Sequence, residues 1–179
     1  MQRLHDIDRL RLVAHFLALP TKDRRLRFGT PLGTTGIAAY ARTIDFARDA
    51  VFAIEDGGRT LVAVAHVAFP GADAEIGLSV LPLHRGLGFG RALFRQGLEH
   101  ARRAGAGTFV MRYLVENGPV MRIARAFGMR IAVAGGEANA RLELAPMTAP
   151  APPDVGNGRG RYESATPRAP RTMPSSACA

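Results

Sequence analysis

A chain of 179 residues with 47% hydrophobic content is long enough to bury a core, which excludes a wholly disordered protein. The formal net charge is +9, but the arginines are scattered among carboxylates, so the charge fits a small anionic ligand as well as a nucleic acid. No apolar run reaches membrane-spanning length, and the charged first twenty residues exclude a secretory signal, so a cytoplasmic protein without a membrane partner is predicted.

Hydrophobic periodicity predicts the elements in chain order. They are helices at 6–18 and 35–47, strands at 50–55, 60–69 and 75–81, a helix at 89–104, a strand at 108–115, a helix at 118–127 and strands at 130–134 and 139–144. The strands in the first half of the chain can pair as antiparallel hairpins, whereas those in the second half are separated by helices that cross over between strands. This order predicts an α/β (α+β) domain over 1–145, with a mixed central sheet flanked by helices in three layers. Residues 146–179 are rich in proline and predict a disordered tail.

Cysteine and histidine do not indicate a metal site. The single cysteine, Cys178, lies next to the C-terminus, which also excludes an internal disulfide. The histidines do not show the spacing of metal ligands; they are His5, His15, His66, His84 and His100.

The stretch from Val80 to Leu93 runs from an apolar strand through three alternate glycines into an amphipathic helix. Such a turn presents backbone N–H groups at a helix N-terminus, where the helix dipole favours a phosphate. A nucleotide P-loop is excluded because no Gly-Lys-Ser/Thr follows, and the dinucleotide fingerprint requires glycine where Arg91 stands. A plain strand-to-helix turn remains an alternative.

Arg85, Gly88 and Gly90 fill the pattern Arg/Gln-x-x-Gly-x-Gly/Ala, by which the chain resembles the GNAT acetyltransferase superfamily. The stretch from Asn117 to Met129 is similar to the second motif of that family, an asparagine opening a helix that ends in glycine and an apolar residue. The resemblance covers about 51–144 and implies acetyl-CoA as cosubstrate, with direct attack by a primary amine of a small molecule or protein. The cofactor-binding residues that it implies are Leu78, Ser79, Val80, Arg85, Gly86, Leu87, Gly88, Phe89, Gly90, Arg91 and Asn117.

Several of these residues have structural alternatives. Asn117 is also a good helix N-cap. Glu75 is a candidate general base, or a charge in a salt bridge at the strand end; His66 is the alternative base, or a buried core histidine. The arginine-rich segment 24–28 fits an acidic acceptor or a solvated helix end.

Ala124 stands where many members of the family carry a tyrosine that protonates the leaving thiolate. The resemblance therefore leaves open a non-catalytic acyl-CoA-binding module on the same fold, and the net charge leaves open a nucleic-acid-binding protein. The acceptor and the oligomeric state, homodimer included, are not determined by the sequence.

Overall fold

The computed structural model describes residues 1–145; the proline-rich segment predicted to be a disordered tail lies outside them. The helices and strands are β1 (Gln2–Leu4), α1 (Arg9–Ala18), α2 (Thr21–Phe28), α3 (Thr34–Thr43), β2 (Ala50–Glu55), β3 (Leu61–Ala68), β4 (Ala74–Val80), α4 (Phe89–Arg103), β5 (Thr108–Leu114), α5 (Gly118–Ala126), β6 (Arg130–Ala134) and β7 (Glu137–Glu143). Short 3-10 turns precede α1 and follow β4.

The strands form one seven-stranded sheet in the order β1-β2-β3-β4-β5-β7-β6. Every neighbouring pair is antiparallel except β4 and β5, which are parallel. Their pairing covers only Ala74 with Phe109 and Glu75 with Val110. Beyond these residues the two strands separate, so the second half of β4 has one edge without a neighbouring strand.

The sheet is covered by helices on both faces, which confirms the predicted three-layer mixed architecture. One face packs its alanines, valines and phenylalanines against α4 and α5, and the other packs against α1 and α3. Because side chains alternate along a strand, Ile76 and Leu78 of β4 lie in the first core, while Gly77 and Ser79 face the second.

The spacing of apolar residues in α4 predicts one buried stripe, and the structure buries all of its members: Leu93, Phe94, Gly97, Leu98 and Ala101. For α1, the sequence predicts one apolar face, with Ile7, Leu10, Val13, Ala14 and Leu17. Val13 and Leu17 do pack against the core, but Ile7 and Leu10 are 89% and 82% exposed, and the fully buried residues include Leu12 and Phe16. The segment carries apolar residues on both faces, so periodicity alone could not choose the one that packs.

Two elements were not predicted from the sequence. Helix α2 is almost entirely polar and has no fully buried residue, so it lacks a hydrophobic stripe. Strand β1 has three residues and forms by pairing with β2. Within residues 1–145, no helix combines the length and the hydropathy that crossing a membrane requires.

Candidate active site

A cavity of about 630 Å³ opens beside the free edge of β4, between helix α2 and the N-terminal ends of α4 and α5. Its volume is in the usual range for small-molecule and cofactor sites. The residues that line it are Leu19, Asp23, Leu26, Arg27, Leu78, Ser79, Val80, His84, Arg85, Gly86, Gly88, Phe89, Gly90, Arg91, Asn117, Pro119, Val120, Arg122, Ile123 and Ala126. Leu87 is the one residue of the predicted cofactor set outside this lining, and it is 62% exposed.

The glycine loop presents unpaired backbone donors to this cavity. Gly86 and Gly88 have φ of 79° and 80°, the left-handed region that glycine adopts without strain. Within residues 1–145, the backbone N–H groups from 86 to 91 have no hydrogen-bond acceptor, and the first local bond runs from the N–H of Ala92 to the carbonyl of Gly88. These donors stand at the positive end of the α4 dipole, which makes the loop an anion-binding cradle.

Arg85 is held at the rim of the cavity by two contacts. One terminal nitrogen donates to Oδ2 of Asp23 at 2.6 Å, and its Nε donates to the carbonyl oxygen of Val80 at 3.2 Å. Asp23 belongs to α2, so this ion pair joins the unpredicted helix to the glycine loop.

The free edge of β4 supplies a second set of donors. The N–H of Leu81 donates to the carbonyl of Val62 in β3. Since backbone groups alternate in direction along a strand, the N–H groups of Leu78 and Val80 point to the opposite side, toward the gap between β4 and β5. The cavity therefore has preorganised donors at the separated strand edge as well as at the loop.

Asn117 has the structural role that its sequence position predicts. Its Oδ1 accepts a hydrogen bond from the N–H of Val120 and caps α5, and its amide nitrogen donates to the carbonyl of Leu26. The second contact places the C-terminal end of α2 beside α5, where Leu26 and Arg27 reach the cavity.

Ser79 is paired with a buried histidine. The Nδ1–H of His15 donates to the carbonyl of Leu61 at 2.7 Å, which leaves Nε2 to accept from the hydroxyl of Ser79 at 2.8 Å. Burial lowers the pKa of His15 to about 4, and the nearby charge of Arg27 acts in the same direction. The imidazole is therefore neutral at physiological pH, and the lone pairs of Ser79 Oγ remain free to accept a hydrogen bond.

A second polar chain begins at the cavity wall and ends in the core. Arg27 donates to the hydroxyl of Tyr40 at 2.8 Å, and that hydroxyl lies 2.8 Å from Nδ1 of His66. Nε2 of His66 lies 3.0 Å from a carboxylate oxygen of buried Asp49. Burial and the charge of Arg27 lower the pKa of His66, while the Asp49 carboxylate opposes that shift. Both ring nitrogens are thus satisfied, and the imidazole connects to the cavity through Tyr40 and Arg27.

Glu75 and Ala124 lie away from the cavity. The carboxylate of Glu75 forms an ion pair with Arg112 at 3.1 Å, and it is not part of the lining. Ala124 is fully buried in the core beneath α5, whereas Val120 and Ile123 of that helix line the cavity.

The sequence did not indicate three residues of the two polar chains and the rim, Asp23, Tyr40 and Asp49, and it did not indicate the role of His15. His15, Asp23 and Tyr40 come from α1, α2 and α3, and Asp49 comes from the turn before β2. None of these segments carries a chemical motif, so only the packing of the fold brings the four residues to their partners. Arg27 belongs to the arginine-rich segment 24–28, for which the sequence leaves an acidic acceptor as one alternative, and it lines the cavity. Within residues 1–145, no cluster of three potential metal ligands is present.

A family model described as "Acetyltransferase (GNAT) family" matches residues 20–129, a range that contains the loop, the free edge of β4 and the capped start of α5. The chain belongs to the GNAT acetyltransferase family. Acetyl-CoA is accordingly its acetyl donor, and the family assignment implies acetyltransferase activity. The unpaired donors of the loop fit the phosphates of that cosubstrate, since they supply an anion site that side chains of the protein leave open.

Solved structures agree on the fold. The GNAT domain of PAT from S. lividans is 20% identical, with a TM-score of 0.68, and the match covers 80% of this chain and 89% of that one. The yncA protein of Salmonella typhimurium, solved with acetyl-CoA, is 18% identical, with a TM-score of 0.62 and coverage of 83% and 95%. The ribosomal-protein-S18-alanine N-acetyltransferase of Escherichia coli is 17% identical, with a TM-score of 0.60 and coverage of 83% and 94%. A search of curated proteins found no sequence match.

Proposed function

We propose that this GNAT protein is an N-acetyltransferase, in which the primary amine of an acceptor directly attacks the thioester of acetyl-CoA. The observation that carries the proposal is that two sets of unpaired N–H donors, at the glycine loop and at the free edge of β4, open onto the same cavity. The first suits a diphosphate, and the second suits the oxygen of an acyl group.

The proposed cofactor contacts divide between these two places. The loop from Gly86 to Arg91 binds the diphosphate through backbone N–H groups, with Arg85 supplying a charge-assisted bond. Leu78 and Val80 offer their N–H groups to the acyl oxygen, which raises the electrophilicity of the carbon; a preorganised donor of this kind is typically worth ~3–4 kcal/mol. Asn117 positions α2 and α5 around the pantetheine arm.

The Ser79–His15 pair favours direct attack over an acyl-serine. A nucleophilic serine needs a neighbouring base that can take its proton, but a histidine with a pKa of about 4 is a weak base. With its hydrogen directed at His15, the Ser79 oxygen can instead accept a hydrogen bond from the amine. It would then hold the amine nitrogen beside the free edge of β4.

For the proton of the amine, the geometry favours His66 over Glu75. His66 Nδ1 faces the Tyr40 hydroxyl, and Asp49 stabilises the imidazolium that forms when a proton arrives. Neither group lines the cavity, but hydrogen bonds through Tyr40 connect His66 to the lining residue Arg27, whereas Glu75 pairs with the exposed Arg112. We therefore propose that the Tyr40 hydroxyl passes its proton to Nδ1 of His66 as it takes the proton of the amine. Glu75 stabilises the end of the strand.

Calorimetry with acetyl-CoA, followed by thiol release against a panel of amines, tests the proposed reaction. We expect acetyl-CoA binding and amine-dependent release of free CoA. In the His66→Gln variant, kcat should fall, and the decrease in rate at low pH that reports protonation of the base should disappear. Glu75→Gln should keep the wild-type dependence of rate on pH. Loss of that decrease in Glu75→Gln with an unchanged profile in His66→Gln would reverse the assignment.

The second candidate function is a non-catalytic acyl-CoA-binding module. The observation in its favour is Ala124, which is buried and carries no group that could protonate a leaving thiolate. A thiolate is a modest base and can leave without a general acid. Tight acetyl-CoA binding with no release of CoA on any amine would select the binding module.

A further inference from the structure

Arg27 occupies an unusual place for an arginine, packed among three aromatic rings at the wall of the cavity. Its guanidinium carbon lies 5.8 Å, 4.9 Å and 5.5 Å from the ring centres of Phe16, Phe28 and Tyr40. One nitrogen donates to the Tyr40 hydroxyl. The aromatic cluster fixes the side chain in one position, so its charge is held at the cavity and not dispersed in solvent.

This charge has no anionic partner among residues 1–145. No carboxylate oxygen in that range lies within 4.0 Å of an Arg27 nitrogen, because Asp23 pairs with Arg85 and Asp49 with His66 and Arg48. The Nε of Arg27 is also buried without a hydrogen-bond acceptor. A partly desolvated cation with an unused donor is costly, and an anion that entered the cavity would relieve that cost.

The position of Arg27 separates it from the phosphate cradle. Its guanidinium lies on Gly77, where a Cβ would occupy the same space. Gly77 is three residues before the end of β4, which corresponds to ~10 Å of strand. The loop N–H groups and Arg85 follow the strand end, so the diphosphate has its own donors and Arg27 is left for another anion.

We propose that Arg27 binds an anionic group, of the carboxylate class, that the amine acceptor itself carries. This inference rests on the proposed N-acetyltransferase function and names its substrate class. Ser79 lies on the same face of β4 as Gly77, two residues further on, at a strand distance of ~6.7 Å. An acceptor that reaches both Arg27 and Ser79 has its anion and its amine only a few bonds apart, as a free amino acid does.

The first experiment uses the wild-type protein alone. The twenty L-amino acids are offered with saturating acetyl-CoA, and kcat/KM for each one accepted is compared with that of its carboxamide, which keeps the skeleton but removes the charge. We expect the acids to be preferred by about 10- to 100-fold, the range for a hydrogen bond to a charged group. Equal kcat/KM for acids and carboxamides, or a preference for the carboxamides, would overturn the proposal.

Two variants assign the preference to this side chain. Because Arg27 also donates to Tyr40, the absolute rates change for both substrates, and the readout is the ratio of kcat/KM for the acid to that for the carboxamide. Arg27→Met should bring this ratio close to one, and Arg27→Lys should restore part of the preference for the acid. Arg25→Met is the matched control, since Arg25 is on the same helix but pairs with Glu116 outside the cavity. A variant at position 27 that folds and keeps the full preference would also overturn the proposal.

Acetyl-CoA affinity separates the donor from the acceptor. Arg27→Met should bind acetyl-CoA as the wild type does; a loss of binding that Arg25→Met does not share would assign Arg27 to the donor and refute an acceptor site. If CoA is never released on any amine, the proposed transferase function itself fails and the acceptor site falls with it. Release of CoA without discrimination by charge, in contrast, overturns the Arg27 proposal alone.

Discussion

The guanidinium of Arg27 lies directly on the backbone of Gly77, so the absence of a side chain at position 77 is what gives this arginine its place. Helix α2 brings the arginine, and β4 brings the glycine. The position of the guanidinium therefore depends on both residues. The contact ties the acceptor side of the cavity to the strand whose free edge offers its N–H groups to the acyl group.

Replacement of Gly77 by alanine should displace Arg27 without touching the loop. We expect a loss of about 1–3 kcal/mol in the free energy of unfolding, typical of overpacking, together with a reduced preference for carboxylate-bearing amines. Thermal unfolding and the ratio of kcat/KM for an acid and its carboxamide measure the two effects. Gly57→Ala is the control, because a Cβ there meets no atom within 4 Å; an equal loss in both variants would contradict the assigned contact.

Arg85 and Asp23 should have opposite effects on the donor. Arg85→Ala is expected to weaken acetyl-CoA binding by about 1.5–3 kcal/mol, the value of a charge-assisted hydrogen bond. Asp23→Asn should tighten it by up to about 1 kcal/mol, because the carboxylate competes for Arg85 and repels the diphosphate. Calorimetry of acetyl-CoA binding to both single variants and to the double variant gives the coupling free energy between Arg85 and Asp23. Weaker binding in Asp23→Asn would mean that Asp23 holds Arg85 in its binding position.

Gly88→Glu should abolish acetyl-CoA binding. The substitution places a negative charge in the proposed phosphate cradle and forces a left-handed φ of 80° on a residue that disfavours it. Gly105→Glu is matched for strain, with a φ of 77° and no atom within 4 Å of an added Cβ, but it lies at the other end of α4. Retained binding in the folded Gly88→Glu variant, or an equal loss in both, would remove the loop from the donor site.

The buried His15 should make stability depend on pH. Its pKa is lowered from 6.5 to about 4 in the folded protein, so the unfolded chain binds more protons between these values. The stabilisation is present above pH 6.5 and declines as the pH falls toward 4, by ~3 kcal/mol at most. Denaturant unfolding across this window should show the slope in the wild type and a smaller slope in His15→Gln; His66 and His100, whose pKa values are also lowered, contribute to the slope that remains. An unchanged slope in that variant would refute the assignment, and exposed His5→Gln is the control.

Much of the fold and the part of the site that binds the acetyl donor can be predicted from local sequence. The strand from Ala50 and the helix from Phe89 begin where the hydrophobic period and the glycine loop predict them, since both signals depend on neighbouring residues only. The alternating glycines likewise predict an anion cradle, because positive φ and exposed N–H groups are local properties. The resemblance carried by Arg85, Gly88 and Gly90 to the GNAT family is confirmed by the family match.

The polar groups on the acceptor side of the cavity could be identified only from the tertiary structure. Helix α2 has no apolar stripe, so its formation and the placing of Asp23 and Arg27 depend on contacts with residues far along the chain. The Ser79–His15 and Tyr40–His66 pairs join residues 64 and 26 positions apart. A sequence read alone thus identifies the acetyl donor, whose cradle is built from consecutive backbone groups. The features that would select the acceptor arise only when separate elements pack on one face of the sheet.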